Sequence, residues 1–233
     1  MRDPQHRFVE QTGVARVRSR LLVLLVFFAL PGLLPDAALH AEEIRGSHRE
    51  YDWYKTQFGT GGTGNCGPAC AAMVIHWATG GDVTVRTIRE EIGKPNGSRA
   101  TSLAHLKRAV DRHGVRAQYT VLSSPGELRA LVDRGSVAIL WIHTGRIRKP
   151  QGDVTRTVKG RYYDDECGHY IVLKGYTDNG YFIVHDPIPG DWTTNTVRYP
   201  DGSMLGRNRW FHAPELWRSL MDRRVIEVFR SPD

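Results

Sequence analysis

The chain of 233 residues contains only three cysteines, Cys66, Cys70 and Cys167, so at most one internal bridge can form. A disulfide-stapled miniprotein is excluded, and stability has to come from an apolar core. Its extended apolar run, LLVLLVFFALPGLL from Leu21 to Leu34, is interrupted by Pro31 and falls short of the roughly 20 residues that cross a bilayer. There is no internal repeat and no low-complexity segment. HExxH, a phosphate loop and a dinucleotide fingerprint are all missing, which removes zincins, P-loop enzymes and Rossmann dehydrogenases. Neither sign of charge dominates: 32 Lys and Arg face 25 Asp and Glu, a net +7. Without basic-aromatic interleaving that excess predicts no nucleic-acid partner.

What is present begins with an export pattern. Arg16, Arg18 and Arg20 precede the apolar run, and Ala37-Ala38-Leu39-His40-Ala41 supplies a small-residue cleavage context. This predicts a signal peptide over 1–41, cut after Ala41, with an uncleaved membrane-proximal tail as the alternative. The remaining 42–233 is one domain, exported to the periplasm or secreted, monomeric, and at the membrane only during export. Losing 1–41 removes five arginines and three acidic residues, leaving a net charge near +5. The densest basic stretch, Arg146 to Arg161, reads as a solvated loop, with contact to an acidic substrate as the alternative.

After a polar lead-in, Glu42 to Tyr51, helical spacing starts at Cys66 or Gly67, with Ala69, Met73, Trp77 and Cys70, Val74 recurring, and ends at Thr79-Gly80-Gly81. Pro68 is tolerated because the first turn has no amide bond to lose. Thr84 caps VRTIREEIG, and Thr101 or Ser102 caps LAHLKRAVDRHG. From Val115 strands take over: Ala117 to Leu122, Ser136 to Ile142, a hairpin of His169 to Tyr176 with Gly180 to Asp186, and RVIEVFR at the end. Helices are predicted from Pro125 to Asp133 and from Pro214. The pattern is α+β: a helical N-terminal half packed on an antiparallel sheet half, with a cleft between them.

Chemistry concentrates at the mouth of the first helix. A helix N-terminus offers partial positive charge and free amides to a sulfur, so Cys66 is placed to become a thiolate. Gly59, Gly61, Gly62 and Gly64 let the chain bend into such a site, and Gly67 lets a substrate backbone approach. The mechanism also needs a base and a group to orient it. If Gly175 pairs with Gly180 across a four-residue loop, His169 falls opposite Asp186. If Asn179-Gly180 is a two-residue turn, Asp186 faces Leu173 instead, and the pair is separated.

NCGPACAAM (65–73), GHYIVLKGY (168–176) and FIVHDP (182–187) together resemble the papain-like cysteine peptidases of the C39-like family, which includes domains that process double-glycine leader peptides. The resemblance implies the papain-like fold with its active site in the cleft, Cys66 as nucleophile, His169 as general base and acid, and Asp186 as the orienting group. It further implies an oxyanion-hole glutamine upstream of the cysteine. Gln57 is the candidate, although the glycine run separates it from Cys66, and Asn65 is the fallback donor with helix capping as its other role. Leader-processing members are usually fused to a membrane exporter. This chain carries no ATP-binding motif, which implies a freestanding envelope or secreted hydrolase acting without a cofactor on a peptide, protein or peptidoglycan-peptide substrate.

Two other readings use the same residues. Cys66, Cys70, Cys167 and His169 have the spacings of a Cys3His zinc set, and a non-catalytic peptide-binding module is the second alternative. If Cys66 and His169 meet, Cys70 lies one turn below the first and Cys167 two residues before the second, so a Cys70–Cys167 disulfide is expected with Cys66 left free. Trp77, Trp141, His143 and Trp192 are candidates to line subsites. His185 stands beside Asp186 on the opposite face of its strand.

Overall fold

The computed structural model describes residues 43–58, 64–93, 100–147, 163, 165–189, 198 and 202–230. The export segment, Gly59, Gly61 and Gly62, most of the basic stretch and Trp192 lie outside them. All described residues belong to one compact unit, Leu39–Asp233. Among them run β1 (Glu43–Gly46), α1 (Cys66–Thr79), α2 (Val85–Ile92), α3 (Leu103–Arg112), β2 (Ala117–Val121), α4 (Pro125–Asp133), β3 (Val137–His143), β4 (Gly168–Thr177), β5 (Tyr181–His185), β6 (Arg209–His212), α5 (Ala213–Ser219) and β7 (Arg224–Val228). No helix of the described residues is long and apolar enough to cross a membrane.

The strands form one antiparallel sheet ordered β2-β7-β3-β4-β5-β6, with β1 pairing the far end of β4. This is the expected α+β arrangement, with helices on both faces. Alternate residues of β3 and β4 explain the two layers. Val137, Ile139, Tyr170 and Val172 face α1, α2 and α3, whereas Ala138, Leu140, Ile171 and Leu173 face α4 and α5. β4 is buried from His169 to Thr177, as a central strand covered on both faces must be.

Helix α1 is the centre of the first layer. Twelve of its 14 residues are buried, on all sides rather than along a stripe. The polar lead-in provides the extra cover. Tyr51 stacks on the His76 ring with centroids 4.8 Å apart, and the Arg49 Nε–H donates to the Trp77 carbonyl at 2.8 Å, satisfying an end-of-helix acceptor. The helix closes at Gly80, whose φ of 73° suits glycine and whose N–H donates to the His76 carbonyl. α2 is capped by Thr84 and α3 by Ser102, the latter with a reciprocal bond from His105.

Three features depart from expectation. The lead-in contains β1, too short to show a period. The strand β6 is likewise short and hidden beside α5. The hairpin has neither predicted register: Val172 pairs with His185 and Leu173 with Val184, then a bulge shifts the ladder so that Gly175 pairs with Ile183. The bulge falls where β1 crowds β4, for a Cβ on Gly175 would meet the Arg45 carbonyl oxygen at 2.5 Å. His169 and Asp186 are therefore diagonal rather than opposite.

Asp186 follows β5 and is fixed by its own backbone. Its N–H donates to the Gly206 carbonyl at 2.8 Å, and its carbonyl accepts from the Tyr54 hydroxyl at 2.8 Å. A Cβ on Gly206 would sit inside contact distance of the Asp186 and Ile188 carbonyls. Gly206→Ala is expected to destabilise the fold by about 1–3 kcal/mol. A denaturant midpoint equal to that of the unsubstituted protein would show that the segment yields freely.

Candidate active site

Cys66 is the first residue of α1 and half-buried. Asn65 occupies the N-cap position, yet its side chain makes no cap bond. Its Oδ1 accepts from the buried Arg89 Nε–H at 2.9 Å, and Arg89 also donates to the Gly64 carbonyl and, at 3.1 Å, to that of Gly93. With Asn65 turned toward Arg89, the Gly67 amide is left to meet the Cys66 sulfur, which the Tyr170 amide of β4 also meets.

His169 enters from β4 and is 2 % exposed. Its Nε2 lies 2.8 Å from Asp186 Oδ1 and its side chain also hydrogen-bonds Cys66, which places Nδ1 on the sulfur side. Tyr163 meets the imidazole edge-on at 5.6 Å between centroids. Asp186 is wholly buried and its two oxygens collect four donors. Oδ1 takes His169 and the Ile188 N–H at 2.9 Å, and Oδ2 takes the Tyr163 hydroxyl at 2.5 Å and Arg209 Nη1 at 2.7 Å.

This geometry separates the proton affinities. Burial pushes the Cys66 thiol up, but the His169 hydrogen bond and charge and the two amides outweigh it, so the thiol is held below its ordinary value. Burial likewise opposes a charged His169, and the Asp186 carboxylate overcomes it, raising the imidazole to about 10. Burial would raise Asp186; the charges of Arg209 and His169 and the bonds from His169 and Tyr163 bring it to about 2. A thiolate beside an imidazolium can attack a carbonyl carbon and return a proton to a leaving group.

The Peptidase_C39 like family matches residues 50–211, spanning both halves of this site. The chain belongs to that family. No curated protein matches it. Its fold is similar to that of a candidate C39-like peptidase from Bacillus anthracis, with a TM-score of 0.52 at 17% identity, covering 82% of this chain and 100% of that one. It also aligns with the peptidase domain of Streptococcus ComA, a bifunctional ABC transporter of a quorum-sensing pathway, with a TM-score of 0.47 at 17% identity over 76% and 98% of the two chains. Membership of the C39-like family supports a cysteine peptidase-type function.

Of the residues singled out in the sequence, Cys66, His169 and Asp186 lie together in this C39-like chain. Gln57 is buried and tied to the same region, its N–H donating to the Pro187 carbonyl at 2.9 Å. Asn65 is fully buried against Arg89. The expected Cys70–Cys167 disulfide is absent: all three cysteines are free, Cys70 buried in the helical layer and Cys167 exposed. The prediction failed because β4 begins only at Gly168, so strand alternation does not extend to Cys167. Instead its N–H donates to Thr144 Oγ1 at 2.8 Å and its carbonyl accepts from the Thr144 N–H at 2.9 Å. The same separation undoes the Cys3His set, and among the described residues no group of three His, Cys, Asp or Glu is placed to hold a metal.

Trp77 is core, whereas Trp141 lines a hollow beside the site. His143 ends β3, half-buried, outside that hollow. His185 is enclosed by Trp53 and Tyr54, with burial and the Lys174 charge keeping it neutral. Sequence reasoning missed Arg209 and Tyr163. The one visible signal for Arg209 is a basic residue beside Trp210 and Phe211.

Two opposed titrations make stability depend on pH. Asp186, depressed to about 2, contributes stability that is complete above the ordinary carboxylate range, about 3.9, and is lost as pH falls through 2. His169, raised to about 10, contributes stability that is complete below the ordinary histidine value, about 6.5, and is lost as pH rises through 10. Thermal unfolding of the C39-like domain is expected to peak between those ordinary values, and Asp186→Asn should flatten both slopes. Equal pH slopes in the two proteins would mean that the pair does not govern stability.

Proposed function

We propose that the protein is an exported cysteine peptidase that hydrolyses peptide or isopeptide bonds through Cys66, His169 and Asp186. The observation that carries this reading is the continuous relay from sulfur to imidazole to carboxylate, with His169 Nε2 2.8 Å from Asp186 and its other face on Cys66. Cys66 attacks the carbonyl carbon, and the oxyanion is held by the Cys66 amide and Gln57. His169 Nδ1 gives its proton to the leaving amine as the C–N bond breaks. Water, deprotonated by His169, then cleaves the thioester and releases the thiolate. The arginines ahead of the Leu21–Leu34 run support export to the periplasm or beyond, on an enzyme that works without a cofactor.

Substrate would lie along a hollow of about 520 Å³ lined by Leu103, Tyr119, Trp141, Tyr170, Asp222 and Arg224. Tyr170 joins it to the nucleophile, because its amide meets the Cys66 sulfur. Trp141 stacks on Tyr170 at 6.1 Å, and the Arg224 guanidinium lies 5.3 Å from the Tyr119 ring centre. An apolar or aromatic side chain suits that lining.

A cysteine-directed vinyl sulfone should label the protein once, at Cys66, and Cys66→Ala should abolish labelling, as read by peptide mass spectrometry. Label that survives in Cys66→Ala and disappears in Cys70→Ala or Cys167→Ala would sink the assignment. In a peptide-library and peptidoglycan digest, Trp141→Ala should lower kcat/KM for large apolar side chains by about 10–100-fold, the worth of burying one such group. The loss should fall mainly on KM. An unchanged profile would place the substrate elsewhere.

A further inference from the structure

Arg209 lies on β6 with no exposed surface, and nothing in the reaction above uses it. Its Nη1 donates to Asp186 Oδ2 at 2.7 Å and its Nε to the Leu205 carbonyl at 3.0 Å. The guanidinium carbon lies 5.5 Å from the centre of the Tyr163 ring, whose hydroxyl donates to the same Oδ2. One carboxylate oxygen is thus anchored by Arg209 and Tyr163, and the other is left for His169 and the Ile188 amide.

The charge balance through the reaction gives this arrangement a purpose. A thiolate and an imidazolium are together neutral, so Asp186 adds a further negative charge at a place with no exposed surface. Once His169 has passed its proton to a leaving amine, Asp186 also loses its cationic neighbour. An isolated buried carboxylate then favours protonation, and a protonated Asp186 would offer a donor where His169 Nε2–H needs an acceptor. A guanidinium keeps its charge at every stage. The other titratable groups around Asp186 are Cys70 from α1, Tyr54 from the lead-in and Tyr163, all held uncharged by burial. His169 and Arg209 are the cations acting on Asp186 among the described residues.

We propose that Arg209 is a positioning residue of the active site, holding Asp186 ionised and its Oδ1 aimed at His169 Nε2 through the step in which His169 is neutral. This inference rests on the catalytic reading of Cys66 and His169. The role is electrostatic and orienting, since Arg209 touches neither sulfur nor substrate.

The test uses the full chain and needs no substrate. The rate of Cys66 alkylation by iodoacetamide is followed against pH by peptide mass spectrometry, and the His169 titration by side-chain ¹⁵N NMR. Removing a positive charge raises every nearby proton affinity. In Arg209→Met both midpoints should therefore move up by about one pH unit. Arg209→Lys, which restores the charge, should leave them within about 0.3 unit of the unsubstituted protein. A packing role would lower stability without moving either midpoint. If Met does not fold, Arg209→Gln, which keeps an N–H donor and drops the charge, should give the same upward shift. Midpoints unmoved in the neutral variants, or moved as far by Lys as by Met or Gln, overturn the role of Arg209 while a reactive Cys66 stands. Cys66 alkylating no faster than the exposed Cys167 at neutral pH in the unsubstituted protein overturns the catalytic reading and this inference with it.

Discussion

A carboxylate with no exposed surface must be supplied with donors or it will not stay charged, and Asp186 is supplied from four parts of the chain. His169 comes from β4, Arg209 from β6, Tyr163 from the segment ahead of β4, and the Ile188 amide from the turn that follows. Gly206 and Tyr54 hold its backbone from two further directions. Much of the second half of the fold can be understood as the means of bringing these groups within about 3 Å of two oxygens. The bulge at Gly175, the turn after β5 and the short strand β6 each contribute to that convergence, while Ile188 in the turn and Phe211 on β6 also fill the core.

The helical half does the corresponding work for the sulfur. α1 is buried on every side, so its first turn is a rigid platform rather than a fraying end. Arg89 draws the Asn65 side chain away from the helix mouth, the Gly67 amide that an N-cap would have taken meets Cys66, and the Tyr170 amide joins it from β4. The low proton affinity of the thiol comes first from the His169 hydrogen bond and charge and then from the two amides. Cys70, one turn further in, shows the contrast. It shares the helix but not its end or the imidazole, and burial with the charges of Cys66 and Asp186 pushes its thiol up.

What was legible in the sequence follows from how local each signal is. The helices α1 to α4 and the strands β2 to β5 and β7 carry periodicity, caps and glycine stops within a few residues, and their positions could be read directly. Cys66, His169 and Asp186 were legible because each sits in a dense motif. The hairpin register was not, since the bulge that sets it depends on β1 approaching from 130 residues away. The expected disulfide failed for a related reason: alternation was carried past the end of β4, where Thr144 takes over the backbone of Cys167. Arg89 and Arg209 were missed because an arginine in a short polar helix, or in a four-residue strand, looks like surface until its neighbours are known.

The two buried arginines also indicate what limits such a site. Each desolvated ion costs several kcal/mol, and a buried pair seldom returns more than that in attraction. A cluster containing Arg209, Asp186, His169 and Cys66 is therefore a poor way to stabilise a domain, and an apolar replacement of similar shape would serve stability as well. What the charges provide is direction. Arg209 fixes which oxygen of Asp186 faces His169, Asp186 fixes which nitrogen of His169 faces the sulfur, and Arg89 fixes which way Asn65 turns. Each contact determines an orientation at the next group, so the chain accepts the desolvation cost in order to hold one arrangement of donors and acceptors at the mouth of α1.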